Sequence, residues 1–521
     1  MTKQTFIKGA MILLIAGLIN RILGFIPRIA LPRIIGAEGV GLYQLGYPFL
    51  IVMLTLITGG IPLAVAKSTA EAQSQGDIAK VKQILRTALT VTALLSLIFT
   101  ALMLMLAPWI TTHVLPDSRV YHSFIFMTPM LLLIAMSSVY RGHFQGKQNM
   151  IPTALSQIIE TLFRIIFVLF FAKLMLPWGL EWGAAGAMLG GVIGEFCGLA
   201  VLLLQFAIDK RKKTISDMKH SLTAADPASV PVLRSLLRVS IPVTLSKMVG
   251  SLSYLFESIL IARSLALAGI ATGIATAQYG SLQGMIIPIV LLPTALTYSL
   301  SVSLVPSLSE AAARGDRAII HKRLHQSMRL ALVSGAPFVV AMWLLAEPIC
   351  RVLFHHPEIA PMLRMMAPVA LFIYLQAPLQ AALQALDKPG TALKNTFIGA
   401  AIKLILIMQL ASKPEFGIYG ALIAINVNIV LVTLLHYMSV LRFVGFRMRL
   451  LDFVKVGAAM VIMGAVLKWT MNRLPVITEW LNASASFFAG LIVYLLLMIA
   501  MKIIDKNDVI RIPIIGRWFK S

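Results

Sequence analysis

Hydrophobic positions run along this chain in long unbroken stretches, interrupted by short clusters of charged and turn residues. Stretches of about 20 apolar residues recur from end to end, the length a helix needs to cross roughly 30 Å of hydrocarbon. Backbone in that medium must satisfy its own polar groups, which leaves helices or a closed barrel. Apolar runs bounded by charge predict spans 1 to 14 near 6–31, 42–66, 87–111, 120–140, 152–175, 183–207, 239–263, 279–307, 329–346, 361–386, 391–411, 417–441, 453–471 and 483–503. The fold class read from this pattern is an all-α polytopic membrane protein with 14 transmembrane helices.

Composition agrees. Of 521 residues 59% are hydrophobic and 13% charged, with mean hydropathy +0.87, against roughly 45–50% apolar residues in soluble domains. The formal charge of +24 does not indicate nucleic acid, because the cations sit in short connections and form no basic face of a soluble domain. Thirty-one of the 45 Lys and Arg fall in alternate loops and the two tails, nine in the intervening loops. That asymmetry orients the chain as a multi-pass protein of the cell membrane with both termini cytoplasmic. The N-terminal apolar run lacks a small-residue cleavage site and reads as an uncleaved first span. Cys197 and Cys350 form no CxxC pattern. His355-His356-Pro357-Glu358 reads as a solvated loop, since Pro357 breaks any helix that would gather those ligands. No metal site and no cofactor are expected.

The polar connection 209–238 carries Lys210-Arg211-Lys212-Lys213 and divides the chain. At a shift of 239 residues, Ser68 to Asp77 matches Ser307 to Asp316, Met127 and Pro129 match Met366 and Pro368, Gln145 matches Gln384, and Arg164 falls on Lys403. Six spans per repeat puts both halves in the membrane in the same orientation, related by an axis along its normal. The predicted organisation is an N-lobe over 1–208, a cytoplasmic linker over 209–238, a C-lobe over 239–445, and spans 13 and 14 with a tail over 446–521.

Asn20-Arg-Ile-Leu-Gly-Phe25 with Ile35-Gly36, Tyr140-Arg-Gly-His-Phe-Gln-Gly146 and Leu304-Val-Pro-Ser-Leu-Ser-Glu310 resemble the polysaccharide-flippase branch of the multidrug/oligosaccharidyl-lipid/polysaccharide (MOP) exporter superfamily. Within it they are similar to the stage V sporulation protein B (SpoVB) type, related to the lipid II flippases of the MurJ type. The resemblance spans essentially the whole chain. It implies a 6+6+2, MATE-like, V-shaped transporter that flips undecaprenyl-pyrophosphate-linked saccharides, the peptidoglycan precursor lipid II above all, in cell-wall or spore cortex synthesis. It also implies cavity arginines in spans 1, 2 and 8. Arg21 matches the first. A second falls on Pro27, with Arg28 one place later, span 2 has no Arg between Tyr43 and Thr58, and the span 8 region offers Gln283.

A cation within a span costs about 2.5–3.5 kcal/mol on insertion scales, so it usually faces a cavity or a partner. Arg21, Arg28, Arg164, Lys247 and Lys403 are therefore the candidate substrate-binding residues, cations suited to a pyrophosphate. Glu160 and Arg164, four apart, also read as a structural ion pair. Glu257 and Glu195 are the candidate ion-coupling acids, for Na⁺ or H⁺, with the membrane potential as the alternative driving force. No catalytic residue is expected. Anionic phospholipids are the expected partners of the basic loops, and wall-synthesis enzymes are further candidate partners. The competing readings are an exporter of another lipid-linked oligosaccharide, a cation-coupled drug exporter, and a non-transporting scaffold for wall-synthesis enzymes.

Overall fold

The computed structural model describes residues 6–217, 229–473 and 478–503. Among them the regular elements are all helical and no strand occurs. Among the described residues twelve stretches are long and apolar enough to cross a membrane. The first of these runs for 64 residues, Met11–Ser74, about twice what one crossing needs at 1.5 Å per residue, and it holds spans 1 and 2. Helix Ile151–Met175, with Glu160 and Arg164 in its middle, supplies span 5. The structure is thus consistent with fourteen spans, and each sequence stretch falls on helical backbone.

The connections differ from a hydropathy reading in one systematic way: helices overrun the hydrocarbon. The expected ten-residue link between spans 1 and 2 is a break at a single residue, Gly36, inside helix Phe25–Thr58, with φ 67° and ψ 179°. Glycine reaches that backbone region without a Cβ clash. On the side of the basic loops, helix Ile61–Ser74 and helix Ile78–Trp109 leave only a three-residue turn between them. The described parts of the polar connection continue spans 6 and 7 as helices Leu180–Asp217 and Ser229–Leu267; residues 218–228, at its centre, lie outside the described residues. Polar side chains cost nothing on a helix that has left the bilayer, so the helix persists where hydropathy stops.

The repeat is built into the turns. Gly76 and Gly315 both adopt positive φ, 75° and 68°. The next residues, Asp77 and Asp316, both cap the following helix, accepting from Lys80 N at 2.8 Å and from Ile319 N at 2.9 Å. After span 4 and after span 10, Gln148 and Asp387 share φ near 57°. All three pairs keep the shift of 239.

Two breaks interrupt spans. Span 2 opens at Gly59-Gly60 between Thr58 and Ile61. Span 8 begins as helix Thr272–Gly280, continues as a π-helix over Ser281–Ile286, and breaks again at Pro293 before helix Thr294–Ala313. Extra-turn π segments place side chains off the regular helical register and recur at functional sites.

Spans 5 and 6 pack most closely. Span 6 lays Gly186, Gly190, Gly194 and Gly198 along one stripe, the small-residue spacing that lets membrane helices approach. A Cβ at Gly194 would sit 2.8 Å from Cβ of Arg164, and one at Gly198 would sit 2.9 Å from Cβ of Glu160. The stripe therefore sets the charged face of span 5 directly on span 6. The chain forms two compact units, Met1–Met285 with Ala411–Ile418, and Ile286–Leu410 with Tyr419–Ser521.

Candidate functional site

The buried charges of the first unit form a chain of ion pairs across spans 4, 5 and 6. Arg141 Nη2 meets Glu160 Oε2 at 2.5 Å, Arg164 bonds the other oxygen of Glu160, and Arg164 Nη2 meets Glu195 Oε1 at 2.6 Å. Two arginines face two carboxylates, so the network is neutral when all four are ionised. Glu160 and Glu195 keep 10% and 8% of their side chains exposed, Arg164 35%. Removing one member of such a network leaves an uncompensated charge in a medium that cannot solvate it. Glu160 and Arg164 pair as their spacing predicts, but they form the middle of a longer chain. Arg141 escapes a hydropathy reading because it follows the apolar run of span 4, yet helix Met130–Gly146 carries it inward. The available signal is charge balance: two acids within spans against one nearby cation call for a second cation.

Beside this network lies a polar cluster on spans 1, 2, 7 and 8. Tyr43 and Tyr47 of span 2 stack with ring centroids 6.4 Å apart. Arg28 and Arg164 both lie close enough to act electrostatically on Tyr43, and Arg28 acts likewise on Tyr254 of span 7. Arg28 is exposed and makes no ion pair or hydrogen bond among the described residues. One turn beyond Tyr254, buried Glu257 accepts from Nε2 of Gln283 at 3.1 Å, and Gln283 stands in the π-helical stretch of span 8. The cluster therefore holds an exposed guanidinium, aromatic hydroxyls and one buried carboxylate.

The remaining expected residues are placed as follows. Arg21 is exposed near the end of helix Phe6–Leu23, one turn after exposed Gly17 and Leu18. Lys247 donates its Nζ to the Gly59 carbonyl at 2.7 Å, while Thr244 Oγ1 accepts from Gly60 N at 3.0 Å. Span 7 thus satisfies both backbone groups that the break in span 2 releases, with a cation at a helix C-terminus where the dipole favours it. Lys403 belongs to the second unit, only 7% exposed on helix Pro389–Leu406. Among the described residues no cluster of His, Cys, Asp and Glu could hold a metal ion.

A second closure, on the opposite side from the basic loops, has no counterpart in the sequence reading. Arg119 Nη2 meets Glu38 at 2.7 Å and Asp117 at 2.9 Å, and Thr276 of span 8 donates to Asp117 at 2.7 Å. Bonding to Asp117, with Glu38 adding to it, holds the Arg119 guanidinium protonated more firmly than a free arginine. Nearby, a Cβ at Gly41 would run into the Thr276 carbonyl group and one at Gly280 into the backbone of Gly41, so spans 2 and 8 touch backbone to backbone. Span 2 is therefore fastened to span 8 at one end and to span 7 at the other.

Comparison with known proteins matches this architecture. The family model described as "Polysaccharide biosynthesis protein" matches residues 6–271, and the MatE model matches residues 280–408. Stage V sporulation protein B of Bacillus subtilis (strain 168) is 42% identical over 524 residues, covering 99% of each chain. Lipid II flippase MurJ of the same organism is 26% identical, covering 88% of this chain and 87% of its own. Among solved structures, lipid II flippase MurJ in an inward closed conformation has a TM-score of 0.70 at 17% identity, over 95% of this chain and 99% of that one. A multi-pass helical membrane protein with two six-span repeats and these full-length matches belongs to the polysaccharide biosynthesis protein family, the flippase branch of the MOP superfamily of transporters.

Proposed function

We propose that this chain carries an undecaprenyl-pyrophosphate-linked saccharide, lipid II in the first instance, from the inner to the outer leaflet of the cell membrane by alternating access, with both termini cytoplasmic. The observation that carries this reading is Arg28. Arg141 and Arg164 are matched by Glu160 and Glu195, whereas Arg28 stands exposed, near enough to act electrostatically on Tyr43 and Tyr254, with no carboxylate bound to it. An unmatched guanidinium near the outer end of span 1 is suited to an anionic cargo and poorly suited to a cationic drug. The stacked tyrosines of span 2 suit the sugar and polyprenyl parts of such a lipid. Arg21 is the second proposed contact.

Similarity to a stage V sporulation protein B and to a lipid II flippase supports this cargo class and a place in spore cortex or wall synthesis, where wall-synthesis enzymes would consume the exported saccharide. The two fastenings of span 2 serve as gates: Gly59-Gly60 with Lys247 on the inner side, Glu38 with Arg119 and Asp117 on the outer side. Glu257, held by Gln283 on the π-helical segment, is the proposed coupling group for Na⁺ or H⁺.

Binding of cargo to purified protein tests the reading. Lipid II should raise the melting temperature, and undecaprenol, which lacks the pyrophosphate, should not. Equal stabilisation by both would show that no anion is recognised.

A further inference from the structure

On the side of the basic loops, away from the polar cluster, the first unit holds a cavity of about 400 Å³ between the ends of spans 3, 4 and 6. Its walls have two characters. Val81, Leu85, Leu89 and Phe206 line one part, and four cations, Lys82, Arg86, Lys147 and Lys210, line the other. One acid, Asp209, pairs with Lys147 at 2.8 Å, so cationic charge remains in excess at the rim. Lys82 and Arg86 are exposed and one turn apart on span 3, presenting two donors to the same volume.

The second repeat shows what this place looks like when filled. At the shift of 239, Val81, Leu85, Leu89 and Tyr140 correspond to Ile320, Leu324, Met328 and Leu379. All four belong to a buried cluster, as Val81, Leu85 and Tyr140 do in the first repeat, and the cluster of the second repeat also contains Phe446, only 2% exposed. Span 12 stops at Val444, and Gly445, with φ 71°, turns the chain back so that Phe446 enters that cluster. His321, the counterpart of Lys82, bonds the Val444 carbonyl at 2.7 Å, and His325, the counterpart of Arg86, meets Asp452 at 3.2 Å. In the first repeat the counterpart of Gly445 is Phe206, which lies within the unbroken helix Leu180–Asp217. Among the described residues no segment turns back at this place, and they leave the cavity open. The second repeat fills the place with an apolar side chain and an acid from its own chain; the first offers the same apolar pocket with cations above it.

We propose that this cavity is a binding site for an anionic phospholipid, its phosphodiester held by Lys82, Arg86 and Lys210 and the upper part of an acyl chain seated against Leu85, Leu89 and Phe206. Basic pockets between transmembrane helices on the inner side take lipid head groups in this manner, and the volume lies in the range of small-ligand sites. The assignment to the inner leaflet rests on the orientation proposed above; the site itself does not depend on the identity of the transported cargo.

The test uses the full chain in nonionic detergent and short-chain phosphatidylglycerol, with phosphatidylcholine, inorganic phosphate and undecaprenyl phosphate as comparison probes. Phosphatidylglycerol should bind saturably, and Lys82→Ala/Arg86→Ala should weaken it roughly thirtyfold, at about 1 kcal/mol per surface cation. Leu89→Trp, which fills the apolar part and leaves every charge, should weaken it comparably; the exposed double variant keeps the test valid if this one fails to fold. Equal binding of phosphatidylcholine, or unchanged binding in the double variant, would overturn the proposal. So would inorganic phosphate binding as tightly as the lipid, which would make the site one for the free anion, or tighter binding of undecaprenyl phosphate, which would make it a cargo site.

Discussion

Arg164 and Glu195, 31 residues apart on spans 5 and 6, meet at 2.6 Å because Gly194, the residue before Glu195, lets the two backbones close. Replacing Arg164 by Ala leaves Glu160 and Glu195 with one cation between them. Broken buried pairs cost about 3–5 kcal/mol; the lower end is expected here, since a third of the Arg164 side chain is exposed. Arg164→Met combined with Glu195→Met should recover most of that loss, because no orphaned charge remains. Melting temperatures of the single and double variants in detergent measure both effects, and a double variant as unstable as the single would refute the compensation.

Gly60, at the break in span 2, and Gly76, in the turn between spans 2 and 3, should differ. A Cβ at Gly60 would lie 2.5 Å from the Ser240 Cα, which cannot yield, whereas a Cβ at Gly76 meets nothing within 4 Å. Gly60→Ala should therefore push span 2 off span 7 and impair transport. Gly76→Ala should cost about 1 kcal/mol for its positive φ and leave transport intact. Transport per molecule and melting temperature, measured together, distinguish them.

Orientation is open to thiol labelling. Burial leaves Cys350 with no exposed surface and pushes its thiol up to about 12, so an impermeant maleimide should leave it unmodified at neutral pH. With Cys197 replaced by Ser, a cysteine at exposed Glu415 should be labelled from outside and one at exposed Ser74 only after permeabilisation. The reverse pattern would invert the proposed topology.

Hydropathy made the spans legible, since each of the fourteen apolar stretches is helical, and the shift of 239 recurs in the paired turns at Gly76 and Gly315. It could not give the helix ends, because a helix does not stop where lipid stops, and this hid Arg141 from the network it completes. Among the expected residues, the structure brings Arg164, Glu160 and Glu195 together, ties Lys247 to Gly59, and sets Lys403 in the other unit. The partnership of Glu257 with Gln283 depends on the π-helical register of span 8, which no residue spacing announces. The pairing of Arg119 with Glu38 was equally hidden, because it joins segments 81 residues apart.

The proposed function turns on Arg28, and the most direct measurement is flipping of labelled lipid II per protein molecule in liposomes, for the parent chain, Arg28→Ala and Arg28→Lys, alongside melting temperature. Loss of a charge-assisted contact worth about 1.5–3 kcal/mol should slow Arg28→Ala roughly ten- to a hundredfold. Arg28→Lys should recover part of the rate, since a point charge replaces a planar fork. Both variants should melt with the parent, because Arg28 makes no ion pair or hydrogen bond among the described residues. Undiminished flipping by Arg28→Ala, or no flipping of any undecaprenyl-pyrophosphate-linked saccharide by the parent chain, would contradict the account.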